Sequence, residues 1–72
     1  MDIDEKMEVI FESLPVEIQD DPEFGFWFFW GGQPKAIAAK IKDGEPEDMA
    51  KEFISQAKGF IDKNIIEKYS LP

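Results

Sequence analysis

The chain has 72 residues, of which 43% are apolar, and its 16 acidic residues outnumber its 8 basic ones, which gives a net charge of −8. This length predicts one small acidic domain over residues 1–72, near the lower size limit for a self-sufficient core. Cys and His are both absent, which excludes disulfides and thiolate metal sites and removes the commonest metal ligand and general base. We therefore expect a cytoplasmic, intracellular protein that is not an enzyme and that uses no metal and no cofactor.

The charge is concentrated in the first half of the chain. Residues 1–34 hold nine acidic residues and one Lys, whereas residues 35–72 hold seven of each, and no Arg occurs anywhere. Direct nucleic-acid binding needs cationic side chains against phosphates, so we expect none. An anionic membrane surface would repel the chain for the same reason. The N-terminus is acidic and thus unlike a signal peptide, and the longest uncharged run, Phe24 to Pro34, is too short to span a bilayer.

Residues 3–14 are predicted to form the first helix. Apolar residues recur there at helical spacing and form one stripe, made of Ile3, Met7, Ile10, Phe11 and Leu14. A row of acids on the outer face comprises Glu5, Glu8 and Glu12. Pro15 ends this helix or begins the next one. Val16 and Ile18 are then expected to pack in a brief helical turn through Gln19.

The stretch from Phe24 to Trp30 holds six of the ten aromatic residues. Asp21-Pro22-Glu23 before it is typical of a helix start, with Asp as the N-cap and Pro at the first helical position. Gly31-Gly32 after it predicts a stop. A strand is the alternative, since aromatic residues favour strands, but the sequence offers no second convincing strand to pair with it. We therefore predict a helix.

A short helix is predicted to follow from Lys35 to Lys42. Pro34 before it suits a first helical position, and Asp43-Gly44 after it suits a stop. Its inward-facing residues are expected to be Ile37, Ala38 and Ile41.

The last helix is predicted to run from about Pro46 to Lys68. Its inner stripe comprises Met49, Ala50, Phe53, Ile54, Ala57, Phe60, Ile61, Ile65 and Tyr69. Gly59 interrupts this helix, and we interpret it as room for an aromatic ring. Together the elements predict an all-α fold, a small bundle of three to four helices. The C-terminal helix would pack along the N-terminal helix, with the aromatic-rich central segment wedged between them.

The aromatic segment offers more ring surface than a domain of this size can hide. Each ring presents roughly 150–250 Å2, and such a domain buries only about 60% of its unfolded surface. Most rings are therefore expected to form the core, with one or two left for a protein partner. The candidate partner-binding residues are the aromatics Phe26, Trp27, Phe29 and Trp30 and the acids Glu5, Glu8, Glu12, Asp20, Asp21 and Glu23.

This combination predicts a non-catalytic protein-binding module, such as a small adaptor, accessory subunit or inhibitor. It would dock through exposed aromatics with an acidic rim onto a partner with a basic surface. One alternative is an acidic nucleic-acid mimic that inhibits a DNA- or RNA-binding enzyme, with rows of carboxylates in place of phosphates. Another is a small-molecule binder with an aromatic pocket. Self-association through the aromatic segment is a further outcome that the rings allow.

Gly31-Gly32-Gln33 matches the tripeptide with which release factors position water for peptidyl-tRNA hydrolysis. The match spans three residues only, and a chain of net charge −8 without Arg is unsuited to binding ribosomal RNA. We therefore interpret the tripeptide as a turn. The nearby acids of residues 20–23 lack the alternating ligands and central Gly of a calcium loop.

Overall fold

A computed structural model of the chain describes residues 1–57. This part contains five helices, which are α1 (Ile3–Glu12), α2 (Val16–Gln19), α3 (Pro22–Trp30), α4 (Gly32–Ala39) and α5 (Pro46–Ala57). No strand occurs between residues 1 and 57, so the predicted all-α class is confirmed. The predicted number of three to four helices is too low, because the single turn of residues 16–19 is a helix of its own, α2.

Part of the prediction for the last helix lies outside the described residues. Its start at Pro46 and its inner stripe as far as Ala57 are confirmed, since Met49, Ala50, Phe53, Ile54 and Ala57 are all buried. Three further predictions concern residues that the structure does not describe. They are the continuation of the helix to Lys68, the stripe residues after Ala57 and the role assigned to Gly59.

Two aspartates begin the helices whose starts were predicted best. The Asp2 carboxylate accepts a hydrogen bond from the Glu5 backbone N–H at 2.9 Å, and the Asp21 carboxylate accepts from the N–H of Glu23 at 2.9 Å and of Phe24 at 3.3 Å. Each satisfies backbone donors that have no partner inside the helix. Asp21 is therefore the predicted N-cap of the aromatic helix, and that helix, rather than the alternative strand, is confirmed.

The core lies where α1, α3, α4 and α5 meet. The largest fully buried side chains include Ile10, Phe24, Phe28 and Phe53. The Phe28 ring lies between the other helices, with its centroid 5.3 Å from that of Phe11 on α1 and 5.2 Å from that of Phe53 on α5. Helices α1 and α5 also pack on each other directly. Phe28 thus contacts both the first and the last helix, while Phe24 and Phe29 also contact Phe11 and Trp27 also contacts Phe53.

The junction between α3 and α4 differs from the prediction. Gly31 alone ends α3, and its N–H donates to the Trp27 carbonyl at 2.9 Å. It is also the N-cap of α4, which begins at Gly32, so Gly31-Gly32-Gln33 is a helix junction rather than a turn. Pro34 occupies the third helical position instead of the first, which costs nothing because the first four N–H groups of a helix have no intrahelical partner.

Helix α4 ends at Ala39, earlier than the predicted Lys42. The N–H groups of Lys40 and Ile41 donate to carbonyls three residues back, at 3.0 and 3.1 Å, which is the tightened geometry common at helix ends. This final turn still buries Ile41 together with Ile37 and Ala38, as predicted. The expectation that Val16 packs inward is wrong, since Val16 is exposed on its single turn while Ile18 fills the core.

Lys6 is the one charged residue that is buried within residues 1–57. Its ammonium donates to the Ile41 carbonyl and lies 3.1 Å from an Asp43 carboxylate oxygen. The other Asp43 oxygen is 3.1 Å from the N-terminal ammonium of Met1. The hydrogen bond from the N-terminal ammonium, followed by that from Lys6, lowers the pKa of Asp43 below its ordinary value. This cluster ties the start of α1 to the loop between α4 and α5.

Candidate functional site

From Phe24 to Trp30 helix α3 has no polar residue on any side, and only part of this apolar surface faces the core. Phe24 and Phe28 lie on its inner side and are fully buried. On the outer side, Phe26, Phe29 and Trp30 are 70%, 51% and 78% exposed. A helix without a polar face normally belongs in the interior of a larger protein. In this chain the three outer rings form a surface that we call the aromatic face.

The three residues of the aromatic face are neighbours on α3, since Phe26 lies three positions before Phe29 and four before Trp30. The rings of Phe26 and Trp30, one helical turn apart, stack with centroids 6.4 Å apart. Phe29 lies on the side towards α1, where its centroid is 4.9 Å from that of Phe11. At their measured exposures the three side chains present roughly 400 Å2 to solvent. One short helix therefore exposes a patch as large as the largest, often functional, apolar patch on a typical monomer.

Trp27 does not belong to the aromatic face, although the sequence placed it among the candidate surface rings. Trp27 is half-buried and packs on the core, with its ring 5.8 Å from Phe24 and 6.2 Å from Phe53. Its indole N–H donates to the Gln33 side-chain oxygen at 3.3 Å. Trp27 and Trp30 differ in exposure because of where they lie on the helix. Trp27 projects on the same side of α3 as Phe24 and Phe28, whereas Trp30 projects away from them.

A shallow acidic groove borders the aromatic face. It has a volume of about 400 Å3 and is lined by Asp2, Asp4, Glu5, Met7, Glu8, Phe29, Gly31 and Lys35. Phe29 therefore belongs both to the aromatic face and to the wall of this acidic groove. The Lys35 ammonium is 3.9 Å from an Asp4 carboxylate oxygen, and both side chains are exposed, so this ion pair contributes little to stability.

The structure brings together two of the six predicted acids. Glu5 and Glu8 line the acidic groove beside Phe29. Glu23 is exposed in the first turn of α3, one turn from Phe26, so it borders the other end of the aromatic face. Asp21 is held as the N-cap of α3. The remaining two acids, Glu12 and Asp20, are exposed and do not line the groove.

Asp2 and Asp4 also line the groove, although the sequence pattern did not indicate them as site residues. The available signal was their helical spacing, because Asp4 and Glu8 lie one turn apart on the side that carries Glu5. Lys35 was missed as well, since nothing in the pattern places the first turn of α4 beside α1.

Two other depressions lie outside this region. One, of about 330 Å3, is lined by Ser13, Leu14, Pro15, Glu47, Ala50, Lys51 and Ile54. The other, of about 390 Å3, is lined by Lys40, Ile41, Lys42, Gly44, Asp48, Met49 and Glu52. Neither is lined by an aromatic ring, so neither supports the alternative of an aromatic small-molecule pocket.

Two other kinds of site are missing from residues 1–57. No group of three or more potential metal ligands occurs there. No helix in that range is long and apolar enough to cross a membrane. The chain matches no protein-family model, and neither curated proteins nor solved structures give a significant match.

Proposed function

We propose that this protein is a non-catalytic protein-binding module, in the sense of a small adaptor, accessory subunit or inhibitor, which docks through the aromatic face. One observation carries this: α3 is apolar all round, yet Phe26, Phe29 and Trp30 point into solvent while the opposite side of the same helix completes the core. Within the described residues Phe26 and Trp30 take no part in the core, and Phe29 contributes to it through Phe11 and Phe28 while half of it stays exposed, so all three rings keep surface for another molecule.

The free energy available from this surface supports stable docking. Burying roughly 400 Å2 of apolar surface yields up to about 10 kcal/mol before the cost of association is subtracted. A standard interface buries about 800 Å2 on each partner. The aromatic face would therefore supply about half of such an interface, and Trp and Phe are typical of its buried centre.

The surrounding charge favours a partner with a basic surface. Glu5, Glu8 and Glu23 border the aromatic face, and the whole chain carries a net charge of −8. Two copies of this chain would bring like charges together, which opposes self-association through the same face. The same charge opposes nucleic acid and anionic lipid as ligands. The absence of Cys supports an intracellular location.

A phage-displayed library of random peptides, selected on the immobilised protein, tests this function and does not require the partner to be identified. The selected peptides are then measured against the parent and against Phe26→Ala/Trp30→Ala. Val16→Ala serves as the control, because Val16 is also an exposed apolar residue but lies on α2. We expect the double variant to weaken binding at least thirtyfold, as loss of anchor residues typically costs about 2 kcal/mol or more, and the control to leave binding unchanged.

Three results would count against this proposal. Selection that yields only peptides insensitive to Phe26→Ala/Trp30→Ala would exclude the aromatic face as the docking surface. Binding that ignores the rings but falls steeply with added salt would instead support the acidic nucleic-acid mimic. Self-association that is detected by sedimentation and strengthened by salt would show that the ligand of the aromatic face is a second copy of this chain and not a basic partner.

A further inference from the structure

The acidic groove and the aromatic face meet at Phe29. The Phe29 ring packs on Phe11 and Phe28, with centroids 4.9 and 5.0 Å away, and about half of the residue remains exposed where it lines the groove. The groove wall beyond it carries four carboxylates, from Asp2, Asp4, Glu5 and Glu8. A ligand on the aromatic face would therefore reach, at this one end, an aromatic ring beside several anionic groups.

Ring and carboxylates together fit one kind of side chain. The face of an aromatic ring attracts a cation, and Arg is the cation most often found there. A guanidinium group is planar, so it stacks on the ring while its N–H donors reach neighbouring carboxylates. An ammonium group offers the same charge but no plane to stack, and its stronger hydration opposes burial against a ring.

Building on the protein-binding function proposed above, we propose that the partner presents an apolar segment to Phe26 and Trp30 and inserts an arginine side chain into the acidic groove, between Phe29 and the carboxylates of Glu5 and Glu8. The two glutamates lie one turn apart on α1, which places both carboxylates on the groove side. Within the described part of the chain neither carboxylate is engaged by a cation of the protein itself. They are therefore free to accept from the incoming guanidinium.

The acidic groove already contains one cation of the protein itself, Lys35. Its ammonium lines the groove and approaches Asp4 to 3.9 Å, while its side chain stays exposed. At that distance and exposure the contact is weak, so an arriving cation displaces it at little cost. Lys35 nevertheless repels a second positive charge. Removing this charge should consequently strengthen the binding of a cationic segment.

The peptides selected in the library experiment provide the probe. We expect them to be enriched in Arg beside apolar residues. Glu5→Gln/Glu8→Gln should weaken their binding about tenfold, in the range of a partly desolvated cation–π contact with its ion pair. Glu12→Gln/Glu17→Gln is the matched control, because it removes the same charge from exposed positions outside the groove. Lys35→Gln should strengthen binding by about twofold to threefold, the effect of one screened surface charge.

Changes in the peptide separate stacking from charge alone. Replacing the enriched Arg by citrulline, which keeps the plane and loses the charge, should reproduce the loss caused by Glu5→Gln/Glu8→Gln. Replacing it by Lys should give an intermediate affinity. Citrulline should cause a smaller loss in Glu5→Gln/Glu8→Gln than in the parent, because two of the interacting carboxylates are already gone while the Phe29 ring remains. Circular dichroism of each variant verifies that the helices are intact.

The outcomes distinguish this inference from the function on which it builds. Peptides that depend on Phe26 and Trp30 but show no Arg enrichment, or bind Glu5→Gln/Glu8→Gln as well as the control, would overturn the arginine site and leave the docking function standing. Peptides that ignore Phe26 and Trp30 would overturn both. Equal binding of the Arg and Lys peptides would replace the stacked guanidinium by a simple cation.

Discussion

Truncating rings on opposite sides of α3 should lower the stability of the fold by very different amounts. Trp30→Ala is expected to lower the free energy of unfolding by no more than about 1 kcal/mol, because the residue is 78% exposed. Phe28→Ala is expected to lower it by about 3–5 kcal/mol, since Phe28 is fully buried between Phe11 and Phe53. Both changes remove an aromatic ring from the same short helix.

The magnitudes follow from the buried areas. About a fifth of the roughly 250 Å2 of Trp30 is shielded, and at about 25 cal/mol per Å2 this corresponds to about 1 kcal/mol as an upper limit. Phe28 loses its entire hydrophobic contribution and also leaves a cavity that the surrounding rings cannot fill completely. Trp27→Ala should fall between the two, because Trp27 is half-buried and its indole donates to Gln33.

Thermal unfolding followed by circular dichroism measures the difference. In a domain of this size about 1 kcal/mol shifts the melting temperature by about 4–8 °C, so Trp30→Ala and Phe28→Ala should differ by more than about 10 °C. Acrylamide quenching of the single remaining tryptophan in each Trp variant reports exposure independently. Two results together would show that the aromatic face is part of the core. They are a Trp30→Ala protein that melts as low as Phe28→Ala, and a Trp30 that is shielded from acrylamide in Trp27→Ala.

Four more substitutions probe other features. Asp43→Asn should make the free energy of unfolding depend less on pH in the acid range. The lowered pKa of Asp43 in the folded state stabilises the fold above the unfolded pKa of about 4. This contribution disappears as pH falls through the folded pKa. Melting curves of parent and variant should thus converge in acid; parallel curves at all pH values would contradict this. Gly25→Ala should stabilise the fold by about 1 kcal/mol, since nothing obstructs a new Cβ there. Gly31→Ala should destabilise the fold, because its Cβ would lie 2.7 Å from the Trp27 carbonyl oxygen. Urea titration measures both variants, and equal shifts of the two unfolding midpoints would refute this difference. Lys6→Met should cost about 1–3 kcal/mol, because the Ile41 carbonyl loses its donor; a urea midpoint unchanged from the parent would show that the bond is dispensable.

The sequence predicted those parts of the fold that depend on local chemistry. Asp21-Pro22 specified the start of α3, and the apolar stripe of residues 46–57 specified the inner side of α5, because capping and periodicity act within one helix. The start of α4 was misplaced since a Pro fits any position of a first helical turn. Its end was misplaced because the last turn tightens there instead of continuing.

Of the four rings of α3 that the sequence offered as surface candidates, Phe26, Phe29 and Trp30 are exposed, whereas Trp27 is not. Periodicity identifies a buried side only where polar residues mark the other side, and residues 24–30 contain none. The division depends instead on the angle at which α3 packs, which Phe28 fixes by fitting between Phe11 and Phe53. The role of Lys6 depends in the same way on a loop more than thirty positions away, although its place beside Ile3 and Met7 on the inner side of α1 hinted at it.

The way α3 is held has a consequence for the entropy of binding. One side of this helix is anchored by Phe24 and Phe28, its first turn is capped by Asp21, and Gly31 fixes its last turn against α4. Side chains that become immobilised in an interface typically cost about 0.5–1.5 kcal/mol each. An aromatic ring has only two rotatable bonds, and Phe26 and Trp30 already stack on each other. A ligand of this surface would therefore meet the rings close to their bound arrangement, and association would proceed without a slow rearrangement of the helix.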